Sequence, residues 1–234
     1  MFKSANGREF ERITRLLEII KPGKTYSVDD MKAMQLDALS LRARSEVPTF
    51  KGWTSAAPAV ERARQLLAAW DAVYARESAA AALFNTWRAE STADERDAAR
   101  PIETRKPLLE ASLGRAIDRL STSQGADWAS WRWGRMHTQA FPHPLVAAFN
   151  LPSIERRGGA GTVAADGASY REILDVANWD RSVVTNVPGQ SGQPEGRFYA
   201  NLLPLFGSDT YFPLVFSRAE VEKASAERLR LRVR

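Results

Sequence analysis

The spacing of apolar residues changes once along this 234-residue chain, close to residue 125, and this change limits the fold more than any other feature. Before that point apolar residues recur every three to four positions, which is the period of amphipathic helices. After it, short apolar runs alternate with glycine- and proline-rich turns, which is typical of strands and hairpins. The sequence therefore predicts an α+β protein, with a mainly helical region over residues 1–124 and a strand-and-turn region over residues 125–234.

Five helices are predicted in the first region. The first covers residues 7–20, and its apolar stripe predicts a face packed against the core; the stripe consists of Phe10, Ile13, Leu17 and Ile20. A second helix begins at the cap formed by Ser27 and Asp30 and is expected to reach about residue 46, before Pro48. The remaining helices are expected at 59–74, 78–88 and 108–120, with Pro107 as a break before the last one.

The second region is predicted to contain extended segments joined by turns. Trp131 and Trp133 are expected on one face of an extended segment, because aromatic residues favour strands. The glycine-rich stretch 156–161 is interpreted as a hairpin turn, because a phosphate-binding loop would precede a helix and the following residues 162–165 are strand-like. Further elements are predicted from the same patterns: strands at 168–176, 181–187 and 229–233, and short helices at 198–206 and 217–223.

Composition excludes several classes of protein. The chain is 44% apolar and 26% charged, which is typical of a globular protein and not of a disordered one. No apolar run approaches the ~18 residues that a membrane span requires, and the first 25 residues contain no signal-peptide core. Cysteine is absent, so disulfides, thiolate catalysis and cysteine-based zinc sites are excluded.

The positive charge is concentrated at one end of the chain. The net charge is +5, and residues 217–234 contribute +3 of it through six Lys/Arg against three Glu. A basic nucleic-acid-binding domain using Arg228–Arg234 is thus a remote alternative. No aromatic residues are interleaved with these arginines for stacking on bases, which favours a solvated face. We expect no nucleic-acid partner.

The two histidines and Ser191 are side chains that could take part in catalysis or metal binding. His137 and His143 could hold a metal or act as a base, but no Asp or Glu lies between Trp128 and Ile154 to supply a third ligand. We therefore predict packed, hydrogen-bonded histidines and no metal site. Gln190 and Ser191 lie in the stretch 188–192, where Gly189-Gln-Ser-Gly192 lacks the Gly-x-Ser-x-Gly spacing that a nucleophile elbow requires. This stretch is predicted to be a structural turn.

Several segments, in the order in which they occur, resemble the penicillin acylase (penicillin amidase) family, specifically the C-terminal part of its large β-subunit. They are Arg8 with Arg12-Ile13, Asp30-Met31 with Gln35-Leu-Asp37, Trp70-Asp71, Glu77-Ser-Ala-Ala-Ala81, Trp131-x-Trp-Gly-x-x-His137, Phe141-x-His-Pro-Leu145, Gly167-Ala-Ser-Tyr-Arg171 through Asp175, Pro188-Gly-Gln-Ser-Gly192 and Tyr211-x-Pro-Leu214. The resemblance covers nearly the whole chain. It implies a C-terminal portion of the four-layer αββα fold of N-terminal-nucleophile hydrolases.

The resemblance also implies a reaction. In that family a serine at the N-terminus of the β-subunit attacks the amide of an acylated small molecule, such as a β-lactam or an acyl-homoserine lactone, and its own α-amino group serves as the base. That serine, the oxyanion asparagine and the calcium ligands would lie upstream of Met1, so we expect no catalytic residue and no cofactor in this chain. Ser4 is not expected to replace the nucleophile, because it directly precedes a helix whereas family nucleophiles begin a strand.

One functional position and two kinds of partner follow from the family pattern. Arg8 matches the arginine beside the active site that helps to position the substrate. The expected partners are the upstream remainder of the enzyme (the α-subunit and the N-terminal part of the β-subunit) and a small-molecule amide, with no membrane partner. Export to the periplasm is common in the family. A non-catalytic stand-alone remnant or binding module is the main alternative, and the DNA directly upstream would distinguish the two.

Overall fold

The computed structural model describes residues 8–159, 161–164, 168–229 and 231. The helices in these ranges are α1 (Arg8–Ile19), α2 (Val28–Gln35), α3 (Leu41–Glu46), α4 (Pro58–Ala68), α5 (Ala79–Glu90), α6 (Ala93–Arg96), α7 (Ile102–Gln124), α8 (Leu203–Gly207) and α9 (Arg218–Ala224). The strands are β1 (Thr138–Phe141), β2 (Leu151–Glu155), β3 (Arg171–Ile173), β4 (Val183–Thr185) and β5 (Phe212–Pro213). Each described helix of eight or more residues precedes Gly125, and each described strand follows it. Across the same ranges, no helix has the length and apolar character to cross a membrane.

The chain divides into two compact units. The first comprises the described parts of Met1–Lys24, Met34–Phe141 and Pro152–Gly167. The second comprises the described parts of Thr25–Ala33, Pro142–Leu151 and Ala168–Arg234. The units interleave along the sequence, and each contains three segments that are separated in the chain. The predicted division into residues 1–124 and 125–234, which follows element type, stays a prediction.

The core of the first unit forms where α5 packs against α7 and α4. Ser78 caps α5, since its hydroxyl accepts a hydrogen bond from the amide of Ala81 at 3.0 Å. Trp87 of α5 is fully buried, and its indole N–H donates to the hydroxyl of Ser112 on α7 at 3.0 Å. The ring of Phe50 meets Trp87 edge-on, with the ring centres 4.8 Å apart. Aromatic packing and one satisfied indole therefore hold this core together.

The prediction of one continuous helix from residue 28 to about 46 is wrong. The predicted cap is present, because the hydroxyl of Ser27 accepts from the amide of Asp30 at 3.1 Å. The helix stops at Gln35, however, and α3 begins after Ser40, whose hydroxyl accepts from the amide of Ala43 at 3.1 Å. In between, the Asp37 carboxylate accepts from the amide of Leu39 at 3.2 Å. Short polar side chains here bond to the backbone in place of helical hydrogen bonds and thereby divide the segment.

Two further helix boundaries differ from the predictions. The helix expected at 59–74 ends at Ala68, and the chain then takes a positive φ of 65° at Ala72. The break expected at Pro107 is absent, because α7 runs through this proline from Ile102. A proline inside a helix removes one backbone hydrogen bond. In α7 the apolar side chains beyond it pack into the core and offset that loss; they are Leu109, Leu113, Ile117 and Leu120.

Trp131 and Arg132 have extended backbone but form no strand, because they lie between two short turns, so the predicted strand is wrong. Short 3-10 helices cover Trp128–Ser130 and Trp133–Arg135. Both Trp131 and Trp133 are nevertheless buried. Their indole N–H groups donate to the carbonyls of Gly125 and Gly158, each at 2.8 Å. These indole bonds fix the two side chains without a strand ladder. The described residues after the glycine turn, 162–164, likewise form bends and no strand.

The second unit contains a three-stranded antiparallel sheet in the order β3-β4-β5. In its register Arg171 lies opposite Thr185, and Ile173 lies opposite Val183. The strands predicted at 168–176 and 181–187 are confirmed in position, although both are shorter than expected. The strand predicted at 229–233 falls largely outside the described residues; Leu229 and Leu231 are exposed and have no regular structure. Strands β1 and β2 form a separate two-stranded sheet.

Candidate functional site

A cavity of about 270 Å³ opens in the first unit, where four segments distant in sequence meet. These segments are the start of α3, the residues after α4, the middle of α5, and the turns that follow α7. Charged, aromatic and glycine residues share the lining, which consists of Ser40, Arg42, Tyr74, Phe84, Asn85, Arg88, Trp133, His137, Gly158, Gly159 and Thr162.

Tyr74 is placed in the cavity wall by two backbone hydrogen bonds. Its amide donates to the carbonyl of Ala38 at 2.9 Å, and its carbonyl accepts from the amide of Gly158 at 2.9 Å. The side chain is buried and packs edge-on against Trp133, with the ring centres 4.9 Å apart. Burial raises the pKa of the Tyr74 phenol, so the hydroxyl stays protonated at neutral pH and remains able to donate a hydrogen bond.

Two arginines of the lining are each held by a glutamate. Arg42 donates from Nε to the carboxylate of Glu11 at 2.9 Å, which ties α3 to α1. Arg88 of α5 forms a fork with Glu46 of α3, with hydrogen bonds of 2.8 and 2.9 Å. The bond to Glu46 raises the pKa of Arg88, which is therefore a fixed positive charge. The charges of both pairs lie around the phenol of Tyr74.

His137 lies in the cavity wall beside the glycine turn. Its ring stacks on Trp133 with a separation of 5.0 Å between ring centres, and Nδ1 lies 3.1 Å from the carbonyl oxygen of Arg156. A carbonyl can only accept, so Nδ1 carries the proton in this arrangement. Gly159 comes close to both rings: a Cβ there would lie 3.3 Å from Trp133 and 3.9 Å from the His137 Nε2, and its φ of 140° also favours glycine.

His143 and Ser191 belong to the second unit. The Nδ1 atom of His143 accepts from the amides of Leu145 and Val146 at 3.2 and 3.0 Å, which closes a turn. Both histidines are thus packed and hydrogen-bonded, as predicted. The amides of Gln190 and Ser191 donate to the carbonyl of Phe198 at 2.8 and 3.1 Å, which confirms a structural turn.

The cavity is arranged for hydrogen bonding rather than around a nucleophile. The hydroxyl of Ser40 accepts the capping bond from α3, and that of Thr162 lies 2.9 Å from the carbonyl of Gly159. Both hydroxyls therefore serve the local backbone. Within the described ranges, no group of three or more His, Cys, Asp or Glu side chains is placed to hold a metal ion.

Sequence reasoning did not single out Tyr74, Arg42 or Arg88. Arg88 is paired with a glutamate 42 positions earlier, and Arg42 with one 31 positions earlier. No local pattern in the sequence signals a pairing at such distances. Arg8, the predicted substrate-positioning residue, begins α1, but its side chain lies outside the described part of the chain. Ser4 also lies outside the described residues.

The fold has a counterpart among solved proteins. A thermostable penicillin G acylase from Alcaligenes faecalis matches 100% of this chain with a TM-score of 0.59, and the match covers 53% of that structure. The sequence identity is 15%, so this likeness establishes the fold alone. The mixed helices and strands of this chain are therefore arranged as in part of that acylase.

The family follows from the sequence match. The family model described as penicillin amidase matches residues 4–223, and the chain belongs to that family. Penicillin acylase 2 proenzyme from Pseudomonas sp. is 28% identical over 93% of the chain. An acyl-homoserine lactone acylase, QuiP, from Pseudomonas fluorescens is 29% identical over 42% of the chain.

The relatives are considerably longer than the matched region. The alignment covers 35% of the penicillin acylase 2 proenzyme and 14% of the acyl-homoserine lactone acylase. The chain therefore spans about a third of the length of the first of these relatives. This agrees with a chain that is part of a larger enzyme.

Proposed function

We propose that this chain is the C-terminal portion of a penicillin-acylase-type amidase, and that it completes an enzyme whose nucleophile is supplied by another part of the polypeptide. The observation that carries the proposal is the family match over residues 4–223, together with relatives named as a penicillin acylase and an acyl-homoserine lactone acylase. The proposed substrate is an acylated small molecule, either an acyl β-lactam or an acyl-homoserine lactone. The strands of this chain would complete sheets of the four-layer αββα fold.

The proposed reaction proceeds in two steps. The hydroxyl of the N-terminal serine adds to the amide carbonyl while the serine α-amine, with an ordinary pKa of about 8, takes up the proton. The amide C–N bond then breaks, the amine leaves with that proton, and an acyl-enzyme remains. Water adds to the ester carbonyl and releases the carboxylic acid, which regenerates the serine. Hydrogen-bond donors stabilise the oxyanion in both steps.

Arg8 is the residue that we propose lies nearest to this chemistry. It is one helical turn before Glu11 and Arg12 on α1, both of which are anchored in the first unit: Glu11 to Arg42, and Arg12 to the carbonyl of Thr162 at 2.9 Å. The backbone of α1 is therefore anchored to the first unit. We propose that Arg8 positions the substrate. The calcium site implied by the family is proposed to lie in the remaining polypeptide.

The test is an assay with a chromogenic acyl amide. The purified chain is assayed alone and after co-expression with the polypeptide encoded directly upstream. We expect turnover from the combination and none from the chain alone, and robust turnover by the chain alone would contradict the proposal. In the active combination, Arg8→Ala is expected to lower kcat/KM by about tenfold or more without lowering the yield of assembled protein, with Arg76→Ala as a control in the same unit. Equal activity of Arg8→Ala and the wild type would show that Arg8 does not position the substrate.

A further inference from the structure

Helix α1 is oriented with its charged face toward the first unit and its apolar face toward solvent. The apolar stripe of α1, which Ile20 continues directly after the helix, is predicted from the sequence to be buried but is exposed: Phe10 is 55%, Ile13 57%, Leu17 67% and Ile20 45% exposed. The side chains of Arg15 and Glu11, on the opposite face, are only 20% and 19% exposed. This is the reverse of a helix that packs on its own core.

The charged face holds α1 in this orientation. Arg15 donates two hydrogen bonds to the carboxylate of Asp37, at 2.7 and 3.1 Å, and a third to the carboxylate of Glu18 at 3.0 Å. Glu18 in turn accepts from Arg44 of α3 at 3.0 Å. Together with the bonds of Glu11 and Arg12 described above, these contacts spread over the whole helix. The outward direction of the stripe is therefore fixed by the fold of the unit.

Four large apolar side chains along one stripe are more than the scattered exposure found on any protein surface. Single exposed leucines and isoleucines are ordinary, whereas a contiguous apolar surface bordered by charge marks an interaction site. The stripe repeats at three and four residues, which is the spacing with which a helix packs against an apolar surface.

We propose that the stripe formed by Phe10, Ile13, Leu17 and Ile20 is the surface on which the remaining polypeptide of the amidase docks. The length of the relative indicates what covers the stripe. The alignment covers 35% of the penicillin acylase 2 proenzyme, so about two thirds of such an enzyme lies outside the match. The partner surface is apolar, because the charged side chains of α1 with described contacts are engaged within this chain. This inference rests on the proposed function. It adds the position and the chemistry of the interface.

The experiment measures assembly and self-association separately. The tagged chain is co-expressed with the polypeptide encoded directly upstream, and the amount of that polypeptide which co-purifies is quantified. The test variant is Ile13→Glu with Leu17→Glu, and the matched control is Leu108→Glu, an exposed leucine on α7 of the same unit. Co-purification is expected to fall by about tenfold or more in the double variant and to stay unchanged in the control. Circular dichroism of each variant alone is expected to match the wild type, because the stripe is exposed in the chain itself.

Other outcomes would overturn the proposal. Undiminished co-purification of the double variant would show that the stripe is not the interface. Light scattering tests a second copy as the occupant: a wild-type dimer that becomes a monomer in the double variant, with capture of the upstream polypeptide unchanged, would assign the stripe to self-association. Amide hydrolysis distinguishes the two proposals. An inactive complex that forms through the stripe would contradict the proposed function alone, and an active enzyme containing the double variant would contradict the interface alone.

Discussion

Helices α1 and α5 have the same length, 12 residues, but different kinds of interaction hold them in the first unit. In α5 the residues Ala80 to Phe84 and Trp87 are buried, and their apolar contacts with α7 and α4 form the core. In α1 the stripe from Phe10 to Ile20 is exposed, and ion pairs to Asp37, Arg42 and Arg44 hold the helix. The core of the first unit is therefore complete without the apolar face of α1. That face remains for contacts outside this chain.

The difference predicts that α5 controls the stability of the first unit and that the apolar face of α1 does not. Trp87→Ala removes a fully buried indole and leaves a cavity, and is expected to lower the free energy of unfolding by about 3–5 kcal/mol. Leu17→Ala, on the exposed stripe, is the matched variant and should change it by less than about 0.5 kcal/mol. Urea unfolding followed by circular dichroism checks both. Equal losses in the two variants would contradict the contrast between the helices.

A smaller effect is expected from the buried hydrogen bond between Trp87 of α5 and Ser112 of α7. Ser112→Ala leaves the buried indole N–H of Trp87 without its acceptor and should lower the free energy of unfolding by about 1–3 kcal/mol. Thr122→Ala, on the same helix but exposed and bonded within its own turn, is the control and should be close to neutral. If Ser112→Ala is as stable as the wild type, the hydrogen bond between Trp87 and Ser112 does not contribute to stability.

The ion pairs of α1 should contribute less than the core does. Asp37→Asn weakens the paired hydrogen bonds with Arg15; the Asp37 side chain is 16% exposed and that of Arg15 is 20% exposed. The substitution should lower the free energy of unfolding by about 0.5–1 kcal/mol. The control is Asp29→Asn, which affects an exposed pair with Lys32 and is expected to have no measurable effect. A loss for Asp37→Asn as large as that for Trp87→Ala would mean that α1 belongs to the core.

Periodicity was enough to predict α1 and α5 as helices, but not which face of α1 is buried. The stripe of Phe10, Ile13, Leu17 and Ile20 predicts burial in both an isolated chain and a larger assembly, and the sequence cannot tell the two apart. The partners of its charged face are up to 150 residues away, beyond any local pattern. The same limit applies to the cavity, where Tyr74, Arg42 and Arg88 meet only after folding. Short polar residues account for the error in the second predicted helix, because Asp37 and Ser40 divide a segment that periodicity would make continuous.

The smallest effect concerns pH. Hydrogen bonds from Arg44 and Arg15, opposed in part by desolvation, lower the pKa of Glu18 from 4.5 to about 2. A lowered pKa contributes stability above the ordinary value, and this contribution is lost as the pH falls from about 4.5 toward 2. We therefore expect α1 to exchange its amide hydrogens faster as the pH falls through this range, after correction for intrinsic exchange. Glu18→Gln should reduce that dependence, and an unchanged dependence would show that Glu18 does not hold the helix.

The most direct test of the central claim is hydrogen exchange measured on α1 and α5 at neutral pH, in the chain alone and after assembly with the upstream polypeptide. The amides of α5 should be protected to the same degree in both samples, because its core is complete within this chain. Those of α1 should become markedly more protected on assembly, since its apolar face is then covered. If the complex forms and α1 exchanges at the same rate as in the chain alone, the exposed stripe is not where the rest of the enzyme binds.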